Sequence, residues 1–163
     1  MKIHLGAWKR KIPGFINVDL CDFEHIHYKN RIDKLPFFNN NVADLIYCSH
    51  SLEYFDYEEA KAALIEWKRV LKKGGTLRIA VPDFEKLIEV YKITGDLNKI
   101  IGPLYGRMKI NTSGKDKLNI LYHKMVYDQK LITELLNLCG YSNIKKYDWK
   151  KTIHKDYDDH SQA

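Results

Sequence analysis

The sequence predicts an α/β fold, a mostly parallel sheet with helices on both faces, and two observations carry that prediction. The first is that residues 44–83 read as strand, helix and strand. Asp44 leads into the apolar run Leu45-Ile46-Tyr47-Cys48, long enough for a buried strand and too short for a helix. After the polar corner Ser49-His50-Ser51, residues Ala60, Ala63, Leu64, Trp67, Val70 and Leu71 recur at three- and four-residue steps and share one helical face. Thr76 to Val81 is the second apolar run, ended by Pro82. A strand, a packed crossover helix and another strand are most simply a right-handed parallel unit. The second observation is size: 163 residues, 45% of them hydrophobic, supply one domain with one core and no room for a second.

Lys2 to Leu5 reads as the first strand and Phe15 to Leu20 as the second. Only Gly6 to Gly14 lie between them, whereas a parallel crossover usually takes a dozen or more residues and carries a helix. The first helix is therefore expected to be missing or vestigial. Asp22 to Lys29 reads as loop, and Arg31-Ile32 as a brief third strand before the Leu35-Pro36-Phe37 corner. Asn39 to Asn41 is turn chemistry, since asparagine tolerates left-handed backbone. In the central helix Lys72 and Lys73 fall in the last turn, where cations suit the carbonyl end of the dipole, and Gly74-Gly75 stop it. Asp83 is placed to cap a helix through Phe84, Leu87, Ile88 and Tyr91, closed by Gly95. Residues 96–122 are broken up by Gly102-Pro103, Gly106 and Ser113-Gly114, and read as an excursion with a short helical turn around Leu97 to Ile101. Asp128 caps a further helix carrying Leu131, Ile132, Leu135 and Leu136, which Gly140 ends. Asn143 to Trp149 alternates like a strand, so the domain is expected over residues 1–149, followed by a polar tail over 150–163.

The net charge of +6 is spread over scattered lysines, with loose clusters at Lys9-Arg10-Lys11, Lys145-Lys146 and Lys150-Lys151. That pattern reads as a solubilising coat. Nucleic acid is not the expected partner, and steep salt dependence of RNA binding would be its sign. No apolar run approaches membrane-spanning length, and Lys9-Arg10-Lys11 interrupt any signal-like region. Cys21, Cys48 and Cys139 are odd in number and far apart, with no C-x-x-C pair. Neither a disulfide framework nor a zinc site is expected, and the reading is a cytoplasmic protein.

Leu35 to Phe55 (LPFFNNNVADLIYCSHSLEYF) and Leu71 to Asp83 (LKKGGTLRIAVPD) resemble the class I S-adenosylmethionine-dependent methyltransferases. The likeness is strongest to a small group of predicted methyltransferases found among sugar and cell-surface polysaccharide genes, and it runs from Ile3 to about Trp149. It implies a Rossmann-like domain that binds S-adenosylmethionine. The reaction implied is methyl transfer to a hydroxyl or amine of a small molecule, or of a sugar or polysaccharide precursor. It also implies a seventh strand antiparallel to the sixth, for which the residues after Trp149 show no pattern. Without it, backbone groups on Asn143 to Trp149 are left open, which could invite a homodimer.

Such a sheet binds ligands at the carboxyl ends of its strands. Gly6 ends the first, where the resemblance implies a glycine-rich loop beneath the cofactor's amino-acid portion. Ala7 and Trp8 stand where a small residue and a second glycine would be. Trp8 either stacks on the ligand or blocks the pocket, and Gly6 reads equally well as a tight turn. Asp19, ending Phe-Ile-Asn-Val-Asp, suits a bidentate hydrogen bond to two ribose hydroxyls. The resemblance places an aspartate for the adenine amino group where this chain has Arg31. Asp33 is the candidate substitute, and backbone groups alone are the other option. Ser49 and His50 fall where the family faces the transferred methyl group. His50 is the catalytic candidate, a neutral imidazole able to accept a substrate proton, with Glu53 one turn on to orient it. A structural histidine bonded to the corner backbone is the competing reading. Asp83 caps its helix and is also a candidate at the substrate entrance. Tyr122, His123 and Tyr127 are candidate substrate contacts by resemblance. His154, Asp158, Asp159 and His160 read as solvated rather than as metal ligands. Trp8, Arg31 and the missing strand also fit an alternative, a catalytically degenerate fold that binds a ligand or partner.

Overall fold

Alternation along the strands sorts the core into two layers. The computed structural model, which describes residues 1–111 and 118–157, holds β1 (Lys2–Leu5), β2 (Ile16–Asp19), β3 (Tyr28–Lys29), β4 (Ala43–Ser49) and β5 (Leu71–Ala80) in one sheet of order β3-β2-β1-β4-β5. Every pairing in it is parallel. Ile3 lies beside Ile46, and Leu5 beside Val18 and Cys48, on one face; His4 lies between Asn17 and Tyr47 on the other.

The first face is covered by helices. In α1 (Tyr57–Val70) the residues Ala60, Ala63, Leu64, Trp67 and Val70 are buried, and Leu135 and Cys139, from α4 (Gln129–Leu138) and its end, join the same core. Asp56 begins α1 with a reciprocal capping box: its side chain accepts from Glu59 N, and the Glu59 carboxylate accepts from Asp56 N. Trp67 Nε1 donates to the Ile32 carbonyl at 2.6 Å, which fastens the loop before β4 to α1.

The second face is organised differently from the first. The β1–β2 and β2–β3 connections are loops without a helix, as the short first crossover foretold. Ile12, Phe15, Leu45 and Tyr47 form its apolar layer. The His4 ring stacks on Tyr47 at 5.1 Å, and His154 lies against the same tyrosine at 4.1 Å. Residues 152–154 are thus no solvated tail: Thr152 and His154 are buried, and His154 Nε2 is 3.1 Å from Arg78.

Other elements also differ from the sequence reading. The third strand is Tyr28–Lys29, not Arg31-Ile32, because Tyr28 anchors it by stacking flat on Phe37 at 4.0 Å. Helix α1 stops at Val70, before the lysines and glycines. Leu71 is already extended and pairs with Ala43, and Lys72 to Gly75 bulge out before Thr76 pairs with Leu45. Asn143 to Trp149 is not a strand: Asn143 turns with a φ of 57°, and Tyr147 is held through its ring by Arg78 at 5.3 Å rather than by backbone pairing. The open edge therefore belongs to β5, which has no strand on its outer side among the described residues.

Past β5, Asp83 caps α2 (Phe84–Thr94) by accepting from Glu85 N, and Gly95 closes it in the left-handed conformation, as the sequence indicated. The excursion resolves into α3 (Asn98–Tyr105) and an antiparallel hairpin of β6 (Met108–Asn111) and β7 (Leu118–Leu121). No described helix is long and apolar enough to cross a membrane.

Candidate functional site

The carboxyl ends of β1, β2, β4 and β5 open onto one cavity of about 970 Å³, roofed by α2, α3 and the hairpin. Ligands of open parallel sheets sit at this end. Its floor begins at Gly6, whose φ of +68° favours glycine and where a Cβ would lie 2.0 Å from Ser51 Oγ. The tight-turn reading of Gly6 thus holds alongside its place on the cavity wall. Trp8 also lines the cavity, in an unusual left-handed conformation for a non-glycine residue (φ 43°).

Asp19 ties the loop to β2. Its Oδ2 accepts from Trp8 N at 2.8 Å and its Oδ1 from Cys21 N at 2.7 Å, leaving the side of the carboxylate that borders the cavity. A carboxylate offers about four acceptor positions, so two such bonds do not exhaust it. Asp33 lines the cavity too, but both its oxygens accept from the Arg31 guanidinium, at 2.9 and 2.8 Å.

β4 delivers Ser49 and His50. Ser49 is buried, and His50 has a φ of 50° while its N–H donates to Ala80 O at 2.9 Å, so the corner is bonded to β5. Non-glycine residues held in this region concentrate at functional sites. His50 Nδ1 lies 3.3 Å from Glu53 Oε1, confirming the one-turn spacing, and His123 Nε2 approaches the same oxygen at 3.8 Å. Glu53 is 1% exposed, and neither carboxylate oxygen has a well-aligned hydrogen bond among the described residues. The Glu53 carbonyl accepts from Lys124 N and Met125 N, while His123 Nδ1 meets the Pro103 carbonyl at 2.9 Å and must carry its proton there. One buried glutamate therefore links the β4 corner, α3 and the strap before α4. Burial, aided by the Glu53 charge, pushes the neighbouring Tyr54 phenol up to about 12.

Asp83 and Tyr122 line the cavity as well, and Asp83 does so while capping α2. Tyr127 does not: it is buried in the main core, 1% exposed. His154 sits on the far face of the sheet, and Asp158, Asp159 and His160 lie outside the described residues. Sequence reasoning missed the roof, Leu87, Val90, Pro103, Met108, Ile120 and Leu121. The apolar stripe of α2 was its only signal, and that stripe reads as ordinary core until the helix proves to bury no residue.

Residues 13–79 match the family described as a methyltransferase domain. No curated protein matches the chain. Among solved structures it is similar to a SAM-dependent methyltransferase, possible histamine N-methyltransferase, of Thermotoga maritima, with a TM-score of 0.56 at 19% identity over 87% of this chain and 64% of that one. It is also similar to an S-adenosylmethionine-dependent methyltransferase of Clostridium acetobutylicum, with a TM-score of 0.52 at 15% identity over 90% and 78%. A DhpI complex with SAM and HEP gives 0.56 at 14% identity over 86% and 70%. The chain thus spans less than two thirds of the Thermotoga protein's length. The parallel order β3-β2-β1-β4-β5 and these likenesses give this chain the fold of the S-adenosylmethionine-dependent methyltransferases.

Proposed function

We propose that the chain is an S-adenosylmethionine-dependent methyltransferase acting on a hydroxyl or amine of a small molecule. The observation that carries the reading is Asp19: a carboxylate at the end of β2, braced by two backbone N–H groups and facing the cavity beside the Gly6 turn. Two vicinal ribose hydroxyls fit its remaining acceptor positions. Arg31 occupies both oxygens of Asp33, so the adenine is left to backbone groups and to the walls at Leu20 and Ile32. The match of residues 13–79 and the SAM named in the DhpI complex support the same cofactor.

When bound, S-adenosylmethionine supplies a methyl group on a sulfonium, so the acceptor's lone pair bonds to carbon while the sulfur–carbon bond breaks and its electron pair stays on sulfur. The chain's own work is alignment, which carries most of the rate in such a displacement. His50, at the mouth of β4, takes the proton that the acceptor loses. Glu53 is a positioning residue: its Oε1 at 3.3 Å from Nδ1 holds the imidazole in place for this transfer.

Calorimetric titration with S-adenosylmethionine and S-adenosylhomocysteine tests the reading. Micromolar affinity, about 8 kcal/mol, is expected, with at least a tenfold loss in Asp19→Asn whose melting curve still shows a folded protein. No binding to the wild type at millimolar ligand overturns the reading in favour of a fold without catalysis.

A further inference from the structure

Past His50 the cavity is walled largely by apolar side chains. On the β1–β2 side Asp19, Ser49 and the Arg31–Asp33 pair stand among Trp8, Leu20 and Ile32. On the far side its walls are Leu87 and Val90 of α2, Pro103 of α3, Met108 of β6, and Ile120 and Leu121 of β7. Val90 is 37% exposed and Ile120 41% exposed, large apolar side chains left facing the opening. The charged groups around them are already matched. Lys124 pairs with Glu59 at 2.7 Å, Lys86 with Glu89 at 2.7 Å, and Asp83 caps α2 with Lys146 at 3.7 Å. The Glu53 carboxylate is buried and faces His50 and His123.

We infer that this half of the cavity takes a largely apolar molecule carrying one hydroxyl or amine, of the naphthol or arylalkylamine class, and not a free sugar. As an acceptor site it rests on the methyl-transfer reading; as a binding site it does not. A sugar brings several hydroxyls, and each one buried without a partner costs free energy that apolar walls do not return. A ring with a single polar atom loses nothing on the same walls, and His50, at the boundary of the two halves, meets that atom.

Methionine supplies the probe. The chain has three methionines, Met1, Met108 and Met125, and of these only Met108 lines the cavity. With methyl-13C-methionine protein, assigned through Met108→Leu, 2-naphthol and methyl glucoside are titrated in the presence and absence of S-adenosylhomocysteine. The expected result is a saturable shift of the Met108 signal with 2-naphthol and none with the glucoside at equal concentration. Leu87→Asn with Val90→Asn is expected to weaken 2-naphthol at least tenfold while leaving S-adenosylhomocysteine affinity unchanged. A Met108 response to the glucoside alone, or to neither ligand, overturns the inference, and the wild-type titration decides this whether or not the double variant folds. Binding of 2-naphthol at Met108 without any binding of S-adenosylhomocysteine would instead uphold the apolar site and sink the methyltransferase reading.

Discussion

His4 makes the fold sensitive to acid. It is fully buried on the second face of the sheet, its ring 5.1 Å from Tyr47 and 6.3 Å from Phe15. Burial, reinforced by the Arg10 charge and by His154 and His25, outweighs the Asn17 side chain and holds its pKa down to about 3, against 6.5 for an ordinary histidine. Between those values the unfolded chain binds a proton that the folded chain refuses. Stability from this group is therefore complete above 6.5 and is lost as pH falls toward 3. Each pH unit in that window is worth about 1.4 kcal/mol, so lowering the pH from about 7.5 to about 4.5, roughly two units inside the window, removes about 3 kcal/mol. That is a large share of a domain's usual stability, about 5–15 kcal/mol. The perturbation is His4→Phe, which keeps an aromatic ring in the layer and removes the proton site. Urea unfolding at the two pH values is the assay. The wild type is expected to lose about 3 kcal/mol more than the variant, while the two differ at the higher pH by about 1.5 kcal/mol or less. Equal losses in both proteins would refute the reasoning, because the proton uptake would then lie elsewhere.

Gly6→Ala forces a side chain into left-handed backbone and against Ser51 Oγ, at a cost of about 1–2 kcal/mol for the backbone alone; unchanged melting and unchanged S-adenosylhomocysteine affinity would contradict it. Glu53→Gln removes the charge facing His50 and is expected to lower kcat for methyl transfer by roughly ten- to a hundredfold, at unchanged cofactor affinity. A rise in KM alone would show that Glu53 shapes the pocket and does not assist His50. Asp56→Ala breaks the capping box of α1 and should cost about 1 kcal/mol in urea unfolding, with no effect on ligand titrations.

What could be read from the sequence follows from how local each signal is. Strand β1 and the capped helices α2 and α4 rest on short-range rules, apolar alternation and aspartate caps, and they stand where those rules place them. The end of α1 was misread because Leu71 fits the helical spacing equally well. Its partner Ala43 is 28 residues earlier, and only that pairing decides. The third strand was missed for a similar reason, since Tyr28 is fixed by Phe37 across a loop. Within the site, Asp19, His50 and Asp83 were legible as strand-end residues. The occupation of Asp33 by Arg31, and the meeting of His123 with Glu53 across 70 positions, were not. The hairpin roof carries no period at all in the sequence. Its strands are only 4 residues each, and they are recognised by pairing with one another.

The order in which the chain is made now matters. The second face of the sheet is laid down early, with His4, Phe15 and Tyr47, yet the ring that closes over Tyr47 belongs to His154. On a ribosome, every described strand and helix is synthesised while that aromatic layer still waits for its cover. A nascent chain paused before Thr152 would present the parallel sheet with one sticky side, the kind of surface that chaperones hold. The segment around His154 acts as a latch over the layer that the first strand begins.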